Sequence, residues 1–144
     1  MVNLNKKNKM TSKIIYTGNL RTTATHLKSG TVMETDAPID NNGKGERFSP
    51  TDLVATALGS CMITLMGIAA QNHDVNIDGT ECEIEKIMTA NPRKIGEVKI
   101  WMKVHGSLNF SEKEKTILKN AALTCPVYRS LNEEMQKTVE FQWV

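Results

Sequence analysis

From Leu53 to Ala70 the chain runs for 18 residues without a charge, and any fold must house that segment. Ser49-Pro50-Thr51-Asp52 leads into it as a helix start, with Ser at the N-cap, Pro at the first helical position and an acid at the third. Leu53, Val54, Leu58, Ile63, Leu65, Met66 and Ile68 would point around the whole circumference, so the sequence predicts a helix buried on nearly all sides. A run this long also has to be weighed as a membrane span. Thr56, Gly59, Ser60, Thr64 and Gly67 dilute it, and the nearest flanking charges, Asp52 and Asp74, are acidic rather than basic. A core helix and no membrane is the expectation. One sheet and two short helices can scarcely cover it in 144 residues, which predicts a partner chain, most simply a two-fold homodimer.

The rest of the chain supplies strands and two further helices. Residues 1–11 are expected to form a flexible arm and 12–144 a single domain. Short strands are expected around Ile14–Tyr16, Leu20–Leu27 and Thr31–Glu34, separated by turn signals at Thr17-Gly18-Asn19 and Lys28-Ser29-Gly30. Thr35–Arg47 has loop composition. After the helix, Val75/Ile77 and then Cys82/Ile84/Ile87 suggest one long strand bent at Asp78-Gly79. Beyond a turn at Asn91-Pro92, Val98/Ile100/Met102/Val104 alternate with Lys99/Trp101/Lys103, giving a hairpin with one wet face. Ser111-Glu112-Lys113-Glu114 reads as a capping box. Pro126 should open another helix over Val127–Met135, and Lys137–Val144 a closing strand. The order defines an α+β chain.

Composition excludes several functions. Lys and Arg number 18 against 16 Asp and Glu, too small an excess for a nucleic-acid groove, and aromatics at 5% supply no base-stacking surface. The three cysteines, Cys61, Cys82 and Cys125, form no C-x-x-C and no disulfide framework. His26, His73 and His105 are scattered singly, so no metal or other cofactor is expected. The N-terminal MVNLNKKNKM has Lys without an apolar stretch behind it, unlike a secretory leader, and a cytoplasmic protein with free thiols is the expectation.

Taken alone, Cys61 reads most simply as a small core hydrophobe, Cys82 as a structural strand residue, and Cys125 as a thiol at a helix start, where the dipole favours thiolate. Two segments change that balance. Phe48-Ser49-Pro50-Thr51-Asp52-Leu53-Val54-Ala55-Thr56-Ala57-Leu58-Gly59-Ser60-Cys61 resembles the signature of the OsmC/Ohr proteins, and Ala121-Ala122-Leu123-Thr124-Cys125-Pro126 resembles their second-cysteine segment. The resemblance extends from Lys13 to the end of the chain. It implies an OsmC-like fold, antiparallel sheets around a long central helix in an intertwined homodimer. It also implies a stress-response activity, thiol-dependent reduction of hydroperoxides, organic ones preferred. Cys61 would be the attacking thiol and Cys125 the resolving one, with an external dithiol protein or small thiol as reductant.

The resemblance further assigns a cation to ionise Cys61, because a thiol well inside a helix gains nothing from the helix terminus and loses by desolvation. Arg21 matches the family's arginine, with Arg47 and Arg129 as competitors. The family's glutamate ten residues before the reactive Cys is Thr51 here, and Asp52 follows one residue later, turned by about 100°. Asp52 is therefore a candidate support for the arginine or only a cap, and Glu46 is the other candidate. Leu58, Met62, Met66 and Arg47 are candidates to contact an alkyl or fatty hydroperoxide, although methionines at this spacing are more often core. The competing readings are a non-catalytic dimer that binds a small hydrophobic ligand or senses redox state, and a purely structural dimer.

Overall fold

The computed structural model describes residues 9–106 and 109–144; most of the expected N-terminal arm, residues 1–8, lies outside the described residues. Met1–Leu53 and Val54–Val144 form two compact units.

The first unit is built on a three-stranded antiparallel sheet, β1 (Ser12–Gly18), β2 (Arg21–His26) and β3 (Val32–Asp36), in the order β1-β2-β3. Gly18, Asn19 and Leu20 all have positive φ, which makes the β1–β2 turn tight enough to pair Gly18 with Arg21. The β2–β3 register sets Arg21 opposite Asp36 and Ala24 opposite Met33. The third strand runs two residues further than the sequence suggests, so Asp36 stands on a strand and not in a loop. A 3₁₀ turn at Ile39–Asn41 follows. Several large apolar side chains of this unit are exposed, among them Ile14, Ile15, Tyr16, Val32 and Met33.

Helix α1 (Pro50–Asn72) starts where the sequence places it. Ser49 Oγ accepts from Asp52 N at 3.1 Å and Asp52 Oδ2 accepts from Ser49 N at 2.9 Å, a reciprocal cap. Expected burial on nearly all sides is not found within the chain. Ala55, Leu58, Gly59, Met62, Met66 and Ala70 are buried on one stripe of helical period, while Val54 and Ile68 stand 38% and 50% exposed. The helix is long and apolar enough to cross a bilayer by length and composition. Its buried stripe instead joins Val98, Ile100, Met102, Val104, Leu118 and Ala122 in the core of the second unit.

That unit contains the hairpin β4 (Glu81–Ala90) and β5 (Arg93–Val104), α2 (Glu112–Leu123), α3 (Pro126–Ser130) and β6 (Gln136–Trp143), with sheet order β4-β5-β6. In β5 the inward residues Val98, Ile100, Met102 and Val104 are at most 1% exposed while Trp101 is 38% exposed, as the alternation requires. The Ser111–Glu114 capping box opens α2. Three expectations are corrected. Antiparallel pairing fails at one edge, because β6 returns through α2 and α3 and lies parallel to β5, the crossover that a parallel pair needs. Val75–Ile77 is not strand: Asn76 Oδ1 accepts from Asp78 N and Thr80 N donates to Ile77 O, and these turns take up the groups a ladder would use. The helix after Pro126 stops at Ser130, because Leu131 is extended and Asn132 Oδ1 accepts from Glu134 N in a turn.

Candidate active site

Two groups of chemically capable side chains emerge, one in each unit. In the second unit, Cys61 on α1 packs against the core cluster that contains Cys125, close enough for its sulfur to raise the Cys125 thiol. Chain geometry explains how they meet. Cys61 precedes Met62 of the buried stripe, and Cys125 is the N-cap of α3, held by the sharp α2–Pro126 junction in extended geometry. Cys61 is partly exposed and Cys125 is 0% exposed.

The expectation that the helix start makes Cys125 a thiolate is corrected. Burial is the largest influence and pushes its thiol above the ordinary range. Backbone N–H groups of Tyr128, 3.3 Å from Sγ, and Val127 oppose this, and the nearby Cys61 sulfur adds to the rise. A one-turn helix offers too little dipole to reverse it. Cys125 is thus kept as a neutral thiol facing a neighbouring sulfur.

Cys82 packs elsewhere. A Cβ built on Gly59 would lie 2.9 Å from Cys82 Sγ and 2.5 Å from Ile84 Cδ1, so Gly59 lets α1 close onto β4. Burial raises the Cys82 thiol.

In the first unit, Arg21 is held on one edge by Asp36: Nε donates to Oδ1 at 2.6 Å and Nη2 to Oδ2 at 2.8 Å. Nη2 also donates to Glu46 Oε2 at 2.9 Å, and Glu34 lies 3.8 Å from Nε. The Nη1 edge stays outside these bonds. Asp36 is 1% exposed and additionally accepts from Glu46 N at 3.1 Å. The Asp36 hydrogen bonds, and then that of Glu46, raise the guanidinium further above neutral pH, while Arg21 holds the Asp36 carboxyl below the usual carboxylate range.

The remaining candidates fall as follows. Asp52 is engaged in the α1 cap, and the carboxylates on Arg21 are Asp36 and Glu46. Sequence reasoning missed Asp36; its one available signal was an acid two residues after Glu34, in phase with the strand. Arg47 donates through Nη1 to Glu46 O at 3.0 Å and lies 3.9 Å from Glu34. Leu58, Met62 and Met66, expected as possible substrate contacts, are each 0% exposed and belong to the core; this is a correction, because a residue with no exposed surface packs rather than lines. Among the described residues no group of three or more His, Cys, Asp or Glu is placed to hold a metal.

An α+β chain that joins a long apolar helix to a buried second thiol, with a carboxylate-clamped arginine on a separate sheet, defines a class of small thiol proteins. Residues 43–140 match the family model of the OsmC-like proteins, more than half of the chain, and the chain belongs to that family. A crystal structure from Psychrobacter arcticus 273-4, assigned to the osmotic-stress-induced and detoxification response, is 46% identical over 92% of this chain and 96% of that one, with a TM-score of 0.88. The OsmC-like protein of Mycoplasma pneumoniae (16% identity, 92% and 95% coverage, TM-score 0.76) and the organic hydroperoxide resistance protein OhrB of Bacillus subtilis (18%, 92% and 98%, 0.62) share the fold. Comparison with curated proteins gave no match.

Proposed function

We propose that this chain is a thiol-dependent peroxidase that reduces organic hydroperoxides. The observation that carries the reading is that Cys61, 64 residues from Cys125 in sequence, packs against the core cluster that holds it and raises its thiol, the first partly exposed and the second buried and neutral. As thiolate, Cys61 attacks the terminal peroxide oxygen; the O–O bond breaks, the alkoxide leaves as alcohol after taking a proton, and Cys61 becomes a sulfenic acid. Cys125 then attacks the sulfenic sulfur, forming the disulfide and releasing water, which protects Cys61 from further oxidation. An external dithiol restores both thiols. In this reading Arg21 supplies the positive charge that favours the attacking thiolate, with Asp36 and Glu46 holding its guanidinium.

The protein is proposed to act as a homodimer. Exposed Ile14, Ile15, Tyr16, Val32 and Met33 in the first unit, and Val54 and Ile68 on α1, are apolar surface of the kind partner chains cover. The first unit also carries an apolar groove of about 730 Å³ lined by Ile14, Ala24, Met33, Pro50 and Leu53 among others. That groove favours one second reading, a dimer that binds a small hydrophobic ligand without turnover.

The test supplies cumene hydroperoxide or H₂O₂ with a dithiol and compares wild type, Cys61→Ser and Cys125→Ser. The peroxidase reading expects loss of turnover in Cys61→Ser and a trappable sulfenic acid in Cys125→Ser. Unchanged consumption in Cys61→Ser, or none in wild type, leaves the ligand-binding dimer. Light scattering reads the mass, and a monomer at micromolar concentration refutes the dimer.

A further inference from the structure

Resting on the peroxidase reading, we propose that regeneration has a fixed polarity: the external dithiol attacks the Cys61 sulfur of the Cys61–Cys125 disulfide, the mixed disulfide forms on Cys61, and Cys125 is the sulfur released. Thiol–disulfide exchange depends on which sulfur the incoming thiolate can reach as well as on leaving-group strength. Here the two sulfurs differ in access. Cys125 is 0% exposed, sits in the core cluster with Leu118 and Ala122, and is fixed at the α2–α3 junction with Tyr128 N–H directed at its Sγ. Cys61 is packed against that cluster but partly exposed. A sulfur without exposed surface offers an incoming thiolate no line of approach.

Leaving-group strength runs the other way. Burial raises the Cys125 thiol, and a weaker acid leaves more slowly. Access decides, because slower departure still gives a reaction whereas an unreachable sulfur gives none. The raised thiol then serves the second half of the step. One reductant thiolate attacks Cys61 Sγ, the protein S–S bond breaks, and its electron pair goes to Cys125. As a strong base, Cys125 takes up a proton, while the reductant's second thiol gives one up to solvent. The thiolate so formed attacks the reductant-side sulfur of the mixed disulfide and releases Cys61 as thiolate. The dithiol ends as its own disulfide, and both protein sulfurs are reduced. The buried sulfur is thus released first and never carries the reductant.

The experiment uses the full chain with its disulfide formed in two ways, by hydroperoxide and by diamide, so that a failure of peroxide chemistry and a failure of the polarity are read separately. The oxidised protein is treated with glutathione, an alkyl monothiol that is not a better leaving group than the protein thiols, then quenched at short times with N-ethylmaleimide and mapped without reduction. The expected result is glutathione on Cys61 and maleimide on Cys125 in both preparations. The reverse pattern overturns the proposal. An adduct on Cys61 in the diamide preparation alone supports the polarity while refuting the peroxidase reading. The single-cysteine variants give a second measurement: Cys61 in Cys125→Ser should react with an aromatic disulfide reagent roughly tenfold or more faster than Cys125 in Cys61→Ser. Equal rates overturn it.

Discussion

Met62 separates a packed core from a substrate-lined one, because it follows Cys61 directly in α1 and is 0% exposed. Truncation by Met62→Ala removes a buried thioether chain from the cluster formed with Leu58, Met66, Ile100 and Leu118. Such truncations cost about 2–5 kcal/mol, the transfer term plus the cavity left behind. Unfolding entropy near 2.1 cal/mol/K per residue amounts to roughly 0.3 kcal/mol/K for this chain. The melting temperature should therefore fall by about 7–17 °C. Met62→Leu keeps the volume and should cost less than about 1.5 kcal/mol. Thermal melts followed by circular dichroism give the stabilities, and KM for cumene and tert-butyl hydroperoxide reads any role in binding. Core packing predicts a large loss of stability in the Ala variant, and in the Leu variant an unchanged ratio of the two KM values. A stability change under about 0.5 kcal/mol in Met62→Ala, with the KM ratio altered, would refute the reasoning and return Met62 to the substrate site.

Gly59→Ala places a methyl 2.5 Å from Ile84 Cδ1, so overpacking of about 1–3 kcal/mol should outweigh the helix-propensity gain of about 1 kcal/mol; denaturant unfolding should show a net loss that Ile84→Val partly restores. The Asp36 carboxyl titrates lower in the folded than in the unfolded chain, so its contribution is present above the unfolded value, near ~3.9, and is lost as pH falls through the folded one. Asp36→Asn should flatten the acid limb of the stability profile, and an unchanged limb contradicts the clamp. For Cys125 the sign is opposite: the folded value is raised, so its contribution is present below the unfolded thiol value near ~8.5 and is lost as pH climbs through the folded one. Stability should decline above that range, less steeply in Cys125→Ser; equal slopes in the two proteins contradict it.

What the sequence disclosed is what local signals determine. The start of α1 is written in Ser49, Pro50 and Asp52, the wet face of β5 in its alternating lysines, and the α2 cap in Ser111 and Glu114. The direction of β6 is not local: alternation fixes which face a strand buries but not whether it runs with or against its neighbour, which depends on the two-helix crossover. Coverage of α1 was overestimated for a related reason. An apolar circumference states what the helix needs covered, whereas one chain buries a single stripe and leaves Val54 and Ile68 outside.

Asp36 shows most clearly where linear reading stops. A carboxylate at the start of α1 is tied to its own cap, since Asp52 accepts from Ser49 N and its N–H donates to Ser49 Oγ. The arginine's partner then has to come from a segment whose pairing a sequence does not display. The β2–β3 register provides it by setting Arg21 opposite Asp36, and the strand holds that carboxylate buried with both oxygens on the guanidinium. The loop returns Glu46, half-exposed, to the same Nη2, while its backbone N–H rests on Asp36. Asp36 therefore anchors the guanidinium and the loop together, and removing its charge should disturb Arg21 more than Glu46→Gln does. The identity of the supporting acid follows from the pairing of two strands.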